Sequence, residues 1–268
     1  MGPVVHDELI ALPAGHPSLA FGGGDTVPGG LLALSASGGV RVRPGEGRSV
    51  YFGRNFAEVH VAIGVADRRV SRRQGVLTCR AGRWWVANTG NRPIRLPDSR
   101  WLSRDGEEPL APGYTPLFVS GSGPREHLLE LFVVAPDGPA PHAVVRPWRL
   151  SPDERLAAVV LGRRYLLHEA NPRPLTWQEA DARLAELQPG RWRAGRLERV
   201  VTDLRTRLSR RGVPGLREDE VPDPYGGALT DNLLRELVRT RTVVPPDLAV
   251  LDPDGPEPGG EPWTPLGR

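Results

Sequence analysis

The chain has 268 residues, of which 32 are Gly, 29 are Pro and one is Cys. At roughly 150 residues per domain this makes one large domain or two small ones, and so much Pro and Gly excludes a wholly helical protein. All 35 basic residues are Arg, against 32 acids, and the net charge of +3 excludes a chain that coats polyanions along its whole length. Cys79 stands alone, which excludes an internal disulfide framework and a cysteine zinc site. The N-terminus lacks a basic stretch followed by an apolar run, and no apolar stretch approaches the ~18 residues of a membrane span. A cytoplasmic protein with no membrane partner is the expectation.

Residues 1–28 hold a weak apolar cluster (Leu9, Ile10, Leu12), then Gly22-Gly23-Gly24 and Pro28-Gly29-Gly30, and read as a flexible arm. In such an arm Thr26 would be open to a kinase. Residues 29–136 have another texture: short β-like runs punctuated by Gly38-Gly39, Pro44-Gly45, Ala81-Gly82 and Pro112-Gly113. The runs are Leu31–Leu34, Val40–Arg43, Ser49–Phe52, Val59–Ile63, Gly75–Cys79, Trp84–Ala87, Ile94–Leu96, Tyr114–Val119 and His127–Val134. Many short strands at close spacing predict an all-β sandwich or barrel. Trp84 and Trp85 are adjacent and therefore point to opposite faces of their strand, one of them to the core.

Residues 137–150 are a Pro-rich linker. A helical domain is expected over 151–245. Ser151-Pro152-Asp153-Glu154 is a helix start, with Ser as cap and Pro at the first helical position, and predicts a helix to about His168. Thr176-Trp177-Gln178-Glu179 is a capping box that opens a second helix to about Leu187. A third is predicted from Ala194 to Arg211 and a fourth over Leu229–Leu237. Residues 246–268, rich in Asp, Glu, Pro and Gly, are expected to be a disordered tail. The fold class is multidomain, an all-β sandwich followed by an all-α domain.

Little in the chain suggests catalysis. The six His are scattered without metal spacing, and there is neither a phosphate loop with a following Lys nor a Gly-x-Ser-x-Gly elbow. A non-enzymatic protein without cofactor or metal is expected. The informative residues lie at strand ends: Gly53-Arg54, then Asp67-Arg68-Arg69-Val70-Ser71-Arg72-Arg73-Gln74, then Asn88-Thr89-Gly90-Asn91. Loops at one end of a sandwich cluster in space, and this cluster offers a guanidinium fork, a hydroxyl and amide donors, a set suited to a phosphate dianion.

Over residues 30–135 these blocks resemble the forkhead-associated (FHA) domain, the phosphothreonine-reading β-sandwich. Gly53-Arg54 matches its Gly-Arg, Ser71-Arg72-x-Gln74 its Ser-Arg-x-His, and Thr89-Gly90-Asn91 its Asn-bearing loop. Gln74 stands where the family has His, Gly90 where many relatives carry Thr or Ser, and Arg92-Pro93 where Gly-Thr follows the Asn. The resemblance implies a phosphothreonine site made of Arg54, Ser71, Arg72, Thr89 and Asn91, in which Arg54 and Ser71 hold the phosphate and Asn91 the peptide backbone. The implied partner is a phosphothreonine protein, a Ser/Thr kinase or its substrate.

Between Arg191 and Arg211 eight Arg face two acids, a local balance of +6. At about 100° per residue Leu197, Val200, Val201, Leu204 and Leu208 share one face, and Arg196, Arg199, Arg207 and Arg210 share another arc. Helix order and charge weakly resemble a helix-turn-helix or winged-helix unit, whose third helix enters a DNA groove. Two readings of 191–211 stand side by side: contact with DNA, and docking of an acidic partner. For the whole chain the leading reading is a signalling adaptor that binds phosphothreonine peptides. The alternatives are a DNA-binding transcriptional regulator and a phosphate-independent scaffold with a degenerate FHA fold.

Overall fold

A computed structural model describes residues 9–138, 146–222 and 225–252. The chain divides into two compact units, 1–143 and 144–268. Among the described residues the first unit has twelve strands in two sheets. One sheet runs β1 (Leu9–Leu12), β3 (Gly38–Val42), β2 (Leu31–Ser35), β12 (Glu126–Val133), β11 (Gly113–Ser120), β8 (Ile94–Arg95), β9 (Trp101–Leu102). The other runs β10 (Glu107–Pro109), β7 (Arg83–Asn88), β6 (Gly75–Arg80), β4 (Ser49–Gly53), β5 (Val61–Ala62). All but the last pairing are antiparallel; β5 runs parallel to β4, with Gly53 opposite Ala62.

Each of the nine expected strands is present. Strands β3, β6 and β7 alternate buried and half-exposed residues, as a sheet covered on one face requires. Their inward residues, among them Val40, Leu77, Cys79, Trp84 and Val86, join Leu31, Ala33, Leu117 and Leu131 in the core between the sheets. The turn between β6 and β7 is Ala81-Gly82, both at positive φ, as a tight hairpin of this twist demands. Of the adjacent tryptophans Trp84 is the core residue, its indole N–H donating to the Gly29 carbonyl, while Trp85 is half-exposed under the Arg80 guanidinium.

Strands β2 and β12 do not alternate, because both of their faces are covered. Leu31 and Ala33 enter the core, whereas Leu32, Leu34, Phe132 and Val134 pack on the outer face against Leu12 and Leu19. This corrects the flexible-arm expectation for 9–28. β1 pairs with β3 from Leu9↔Val42 to Leu12↔Gly39, and a 3₁₀ turn over Leu19–Phe21, capped by Ser18, seats Leu19 at zero exposure. Of the short apolar cluster Leu12 joins Leu19 in covering a second hydrophobic layer, while Leu9 and Ile10 stay exposed. Thr26 is buried too, its hydroxyl donating to the Gly23 carbonyl at 2.7 Å, and it is closed to a kinase. Residues 1–8 lie outside the described residues.

The second unit holds α1 (Pro152–Leu161), α2 (Arg163–Leu166), α3 (Trp177–Leu187), α4 (Arg196–Ser209) and α5 (Tyr225–Arg239). The expected capping box of Thr176 with Glu179 is formed, and the expected Ser151 cap is itself part of a second box with Glu154. The first helix stops at Leu161 and not near His168. Gly162 breaks it where Leu234 of α5 approaches closely, about as near as a methyl group would allow. The linker expected over 137–150 is shorter than its composition suggests: Trp148 and Leu150 pack on the helical core, and the Trp148 N–H donates to Thr242 Oγ1. Residues 139–145 lie outside the described residues. At the other end 246–252 are not a disordered tail, since a 3₁₀ stretch over Pro245–Leu251 returns Leu251 to the core; 253–268 lie outside the described residues. No described helix is long and apolar enough to cross a membrane.

The N-terminal segment is held down by a buried acid. Glu130 of β12 accepts hydrogen bonds from Ser18 Oγ and from the Tyr114 hydroxyl at 2.9 Å. Burial lifts its carboxyl from an ordinary 4.5 to about 7, against the pull of the bonds from Ser18, Tyr114 and the Ala20 and Leu19 amides. Between those values the folded chain keeps a proton that the unfolded chain has released. Glu130 therefore makes its full contribution to stability at and below about pH 4.5, and that contribution, up to about 3 kcal/mol, is lost as the pH rises to about 7. Glu130→Gln keeps the acceptor without the ionisation and flattens this slope, which urea denaturation across about pH 4.5 to 8 measures directly.

Candidate functional site

The loops that follow β4, precede β6 and follow β7 meet at one end of the sandwich, and buried Gln74 joins them. Its Oε1 accepts from the Ser71 N–H at 3.1 Å, and its Nε2 donates to Asn88 Oδ1 and to the Arg92 carbonyl, both at 2.8 Å. Its backbone N–H donates to the Phe52 carbonyl, and its own carbonyl accepts from the Thr89 and Gly90 amides. A neutral imidazole has one N–H donor and could not bond both Asn88 Oδ1 and the Arg92 carbonyl, whereas a carboxamide has two. Asn88, fully buried, completes the frame by donating to the Leu102 and Arg92 carbonyls. Two glycines make room. A Cβ on Gly90 would stand 2.4 Å from Gln74 Nε2, and one on Gly53 2.2 Å from the Arg72 carbonyl oxygen. Gln74 and Gly90, two of the three departures named above, fit one another.

The hairpin tip between β11 and β12 pins the loops from a second side. Asp67 accepts from Ser122 N at 2.7 Å, Ser122 Oγ at 2.6 Å and the Arg69 amide at 3.0 Å, and lies 2.9 Å from His127 Nε2. Burial alone would raise its carboxyl, but the bonds to His127, Ser122 and the Arg69 amide outweigh it and hold the group far below the usual carboxylate range. Arg92 donates to the Ser120 and Gly121 carbonyls and fastens the loop after β7 to the same tip.

On this frame three side chains present donors side by side. The Arg54 N–H bonds the Ser71 carbonyl at 3.1 Å, and Arg54 Nε bonds the Val70 carbonyl at 2.9 Å. The two terminal guanidinium nitrogens have no partner among the described residues. Ser71 Oγ accepts from the Asn91 amide at 3.0 Å, which leaves its hydroxyl hydrogen to donate. Asn91 is exposed, and its Oδ1 accepts from Arg104 Nη1 at 2.8 Å, so its NH₂ is turned to other partners. Arg72 is exposed beside Ser71, its carbonyl accepting from the Asn55 amide; Thr89 is exposed, anchored through its amide to Gln74.

The sandwich is similar to forkhead-associated domains of known structure. An FHA domain of Mycobacterium tuberculosis Rv1747 matches at TM-score 0.31 and 19% identity, covering 40% of this chain and 98% of its own. The N-terminal FHA domain of S. cerevisiae Rad53p, solved with a phosphothreonine peptide, matches at 0.32 and 16%, covering 39% and 93%. An Arabidopsis thaliana FHA domain matches at 0.33 and 17%, covering 45% and 98%. No family model matches the chain, and no curated protein does.

Three residues that support this loop cluster escape a sequence reading, Arg104, Ser122 and His127, which only the fold joins to it. Among the described residues no group of three or more His, Cys, Asp or Glu is placed to hold a metal ion.

The structure divides the four arginines of the arc, three on α4 and Arg210 just after it. Arg196 bonds Asp153, which also takes Arg191 at 2.7 Å, and Arg207 holds both Glu154 oxygens at 2.8 Å. Burial opposes ionisation of Asp153, but Arg196 and Arg191 prevail and lower its carboxyl. Arg199 and Arg210 are exposed without an acidic partner among the described residues.

The Gln74–Gly90 fit gives a direct test. Gly90→Ala is expected to cost about 1–3 kcal/mol by overpacking, and Gln74→Ala about 1–3 kcal/mol by leaving the buried end of the loop without its bond to the Ser71 amide. In the Gln74→Ala background Gly90→Ala should cost much less, because the atoms it strikes are gone. Denaturant unfolding of the four chains of this cycle measures the coupling.

Proposed function

We propose that the sandwich binds phosphothreonine peptides at the Arg54–Ser71–Asn91 cluster, as a non-enzymatic module of Ser/Thr kinase signalling. The observation that carries this reading is the convergence of three donors with free hydrogens on loops locked by Gln74 and Asp67. A phosphate dianion takes a guanidinium fork and a hydroxyl as charge-assisted donors. The Asn91 NH₂ then meets a peptide carbonyl beside the modified residue, and Arg72 adds charge at the rim. Preorganisation matters here, since donors that need no rearrangement lose little entropy on binding. The FHA domain of Rad53p solved with a phosphothreonine peptide is the natural comparison. A scaffold that had lost phosphate binding would have no need to keep these donors unpaired.

For the helical unit, whose output we infer to be contact with DNA or an acidic protein, the two cations of that arc without an acidic partner among the described residues are Arg199 and Arg210. Neutralising two phosphates gives a log-affinity slope near −1.8 against log salt, half the value of about −3.6 for all four arginines. Arg207→Glu would place like charge against Glu154 and loosen α1 on α4, so Arg199→Glu with Arg210→Glu is the pair that separates binding from folding.

Arg54→Ala should abolish phosphopeptide binding at a stability cost of only about 1 kcal/mol, for the lost bond to Val70. Arg54→Lys should also bind poorly, because an ammonium cannot make the paired contact. Titration calorimetry with a phosphothreonine peptide reads both; undiminished affinity in either variant contradicts the assignment.

A further inference from the structure

The loop before β6 carries more positive charge than one phosphate requires. Arg68, Arg69, Arg72 and Arg73 fall within six residues. The acid of the same run pairs with none of these guanidinium groups, because the buried Asp67 carboxylate is bonded instead by Ser122, His127 and the Arg69 amide. Arg73 has its own neighbours, Glu58 at 3.9 Å and the Tyr51 ring at 5.1 Å. Arg68, Arg69 and Arg72 remain exposed, and none has an acidic partner among the described residues. The loop cannot relax to separate them, since Asp67 fixes its first end and Gln74 its last. Like charges held together in this way repel one another, and an anionic ligand relieves the repulsion.

Position along the chain ties this charge to the site. Val70, between Arg69 and Ser71, gives its carbonyl to Arg54 Nε, and Arg69 lies within about 7 Å of Ser71 along the backbone. We infer that Arg68 and Arg69 form a second anion subsite, which takes a phosphate or carboxylate of the same peptide close to its phosphothreonine. The inference rests on the phosphothreonine reading of Arg54 and Ser71, and it narrows the ligand from any phosphothreonine peptide to one with a neighbouring second anion. Arg68 and Arg69 touch no part of the phosphate set itself, so the two subsites separate by mutation.

The test is titration calorimetry on the full chain with three peptide series. The first has a single phosphothreonine in neutral flanks. The second adds a phosphoserine and the third a Glu, each moved through the positions on either side of the phosphothreonine. The wild-type chain should gain about tenfold in affinity at one or two positions of the second anion. The double variant Arg68→Ala, Arg69→Ala should lose that gain, while binding the singly modified peptide within about twofold of wild type and unfolding at the same midpoint. A larger gain from phosphoserine than from Glu assigns the subsite to a dianion, and equal gains assign it to a carboxylate. A second anion that helps at no position, or a gain that survives in the double variant, overturns the inference while leaving the phosphothreonine site standing. Failure of every peptide to bind removes the phosphothreonine reading itself, and the second subsite with it.

Discussion

A fully buried carboxamide with three hydrogen bonds to make, and three strand-end loops whose backbone groups must be met, constrain each other at Gln74. Each of those loop groups would be costly to leave unpaired away from water, so the loops have one arrangement in which all are met. That arrangement sets the Ser71 amide, and with it the Ser71 hydroxyl and the Asn91 amide that bonds it. The glycines at 53 and 90 follow from the same constraint, as the positions where backbone and carboxamide come too close for a Cβ. The Asp67–Ser122–His127 cluster does the same for the other end of the loop, from the opposite sheet. A site of half-buried and exposed donors is thus held by a rim of buried, satisfied polar groups, and the donors themselves remain unspent.

The sandwich was largely legible because its strands advertise themselves by β-branched and aromatic alternation between turns. The three strands that were not legible fail for separate reasons. Trp101–Leu102 is too short to show a period, and Glu107-Glu108-Pro109 has the composition of an edge strand, where charge and Pro are tolerated because only one side is paired. Leu9–Leu12 reads as arm because the layer it completes becomes visible only when Leu32, Leu34, Phe132 and Val134 are seen to need a cover. Continuous burial in β2 and β12 was the available signal, since a strand that does not alternate must be covered twice.

At the site the residue types were legible and their support was not. Arg54, Ser71 and Asn91 stand out by their place at strand ends, yet what makes them donors is the set of long-range bonds to Val70, Gln74 and Arg104. The helical unit teaches the same lesson in reverse. The arc of Arg196, Arg199, Arg207 and Arg210 is a sound reading of helical geometry, but charge along one helix says nothing of its neighbours. Asp153 and Glu154, in the first turn of α1, favour that helix terminus on their own account and also absorb half of the arc.

The phosphate reading of the chain stands or falls with the loop cluster at the end of the sandwich. Amide chemical shifts of the labelled full chain, recorded as a phosphothreonine peptide and its unmodified twin are added, test it most directly. Changes centred on Arg54, Ser71 and Asn91, present with the phosphorylated peptide and absent with its twin, are the predicted result. Equal changes with both peptides, or changes centred on the helical unit while these three amides stay in place, would contradict it.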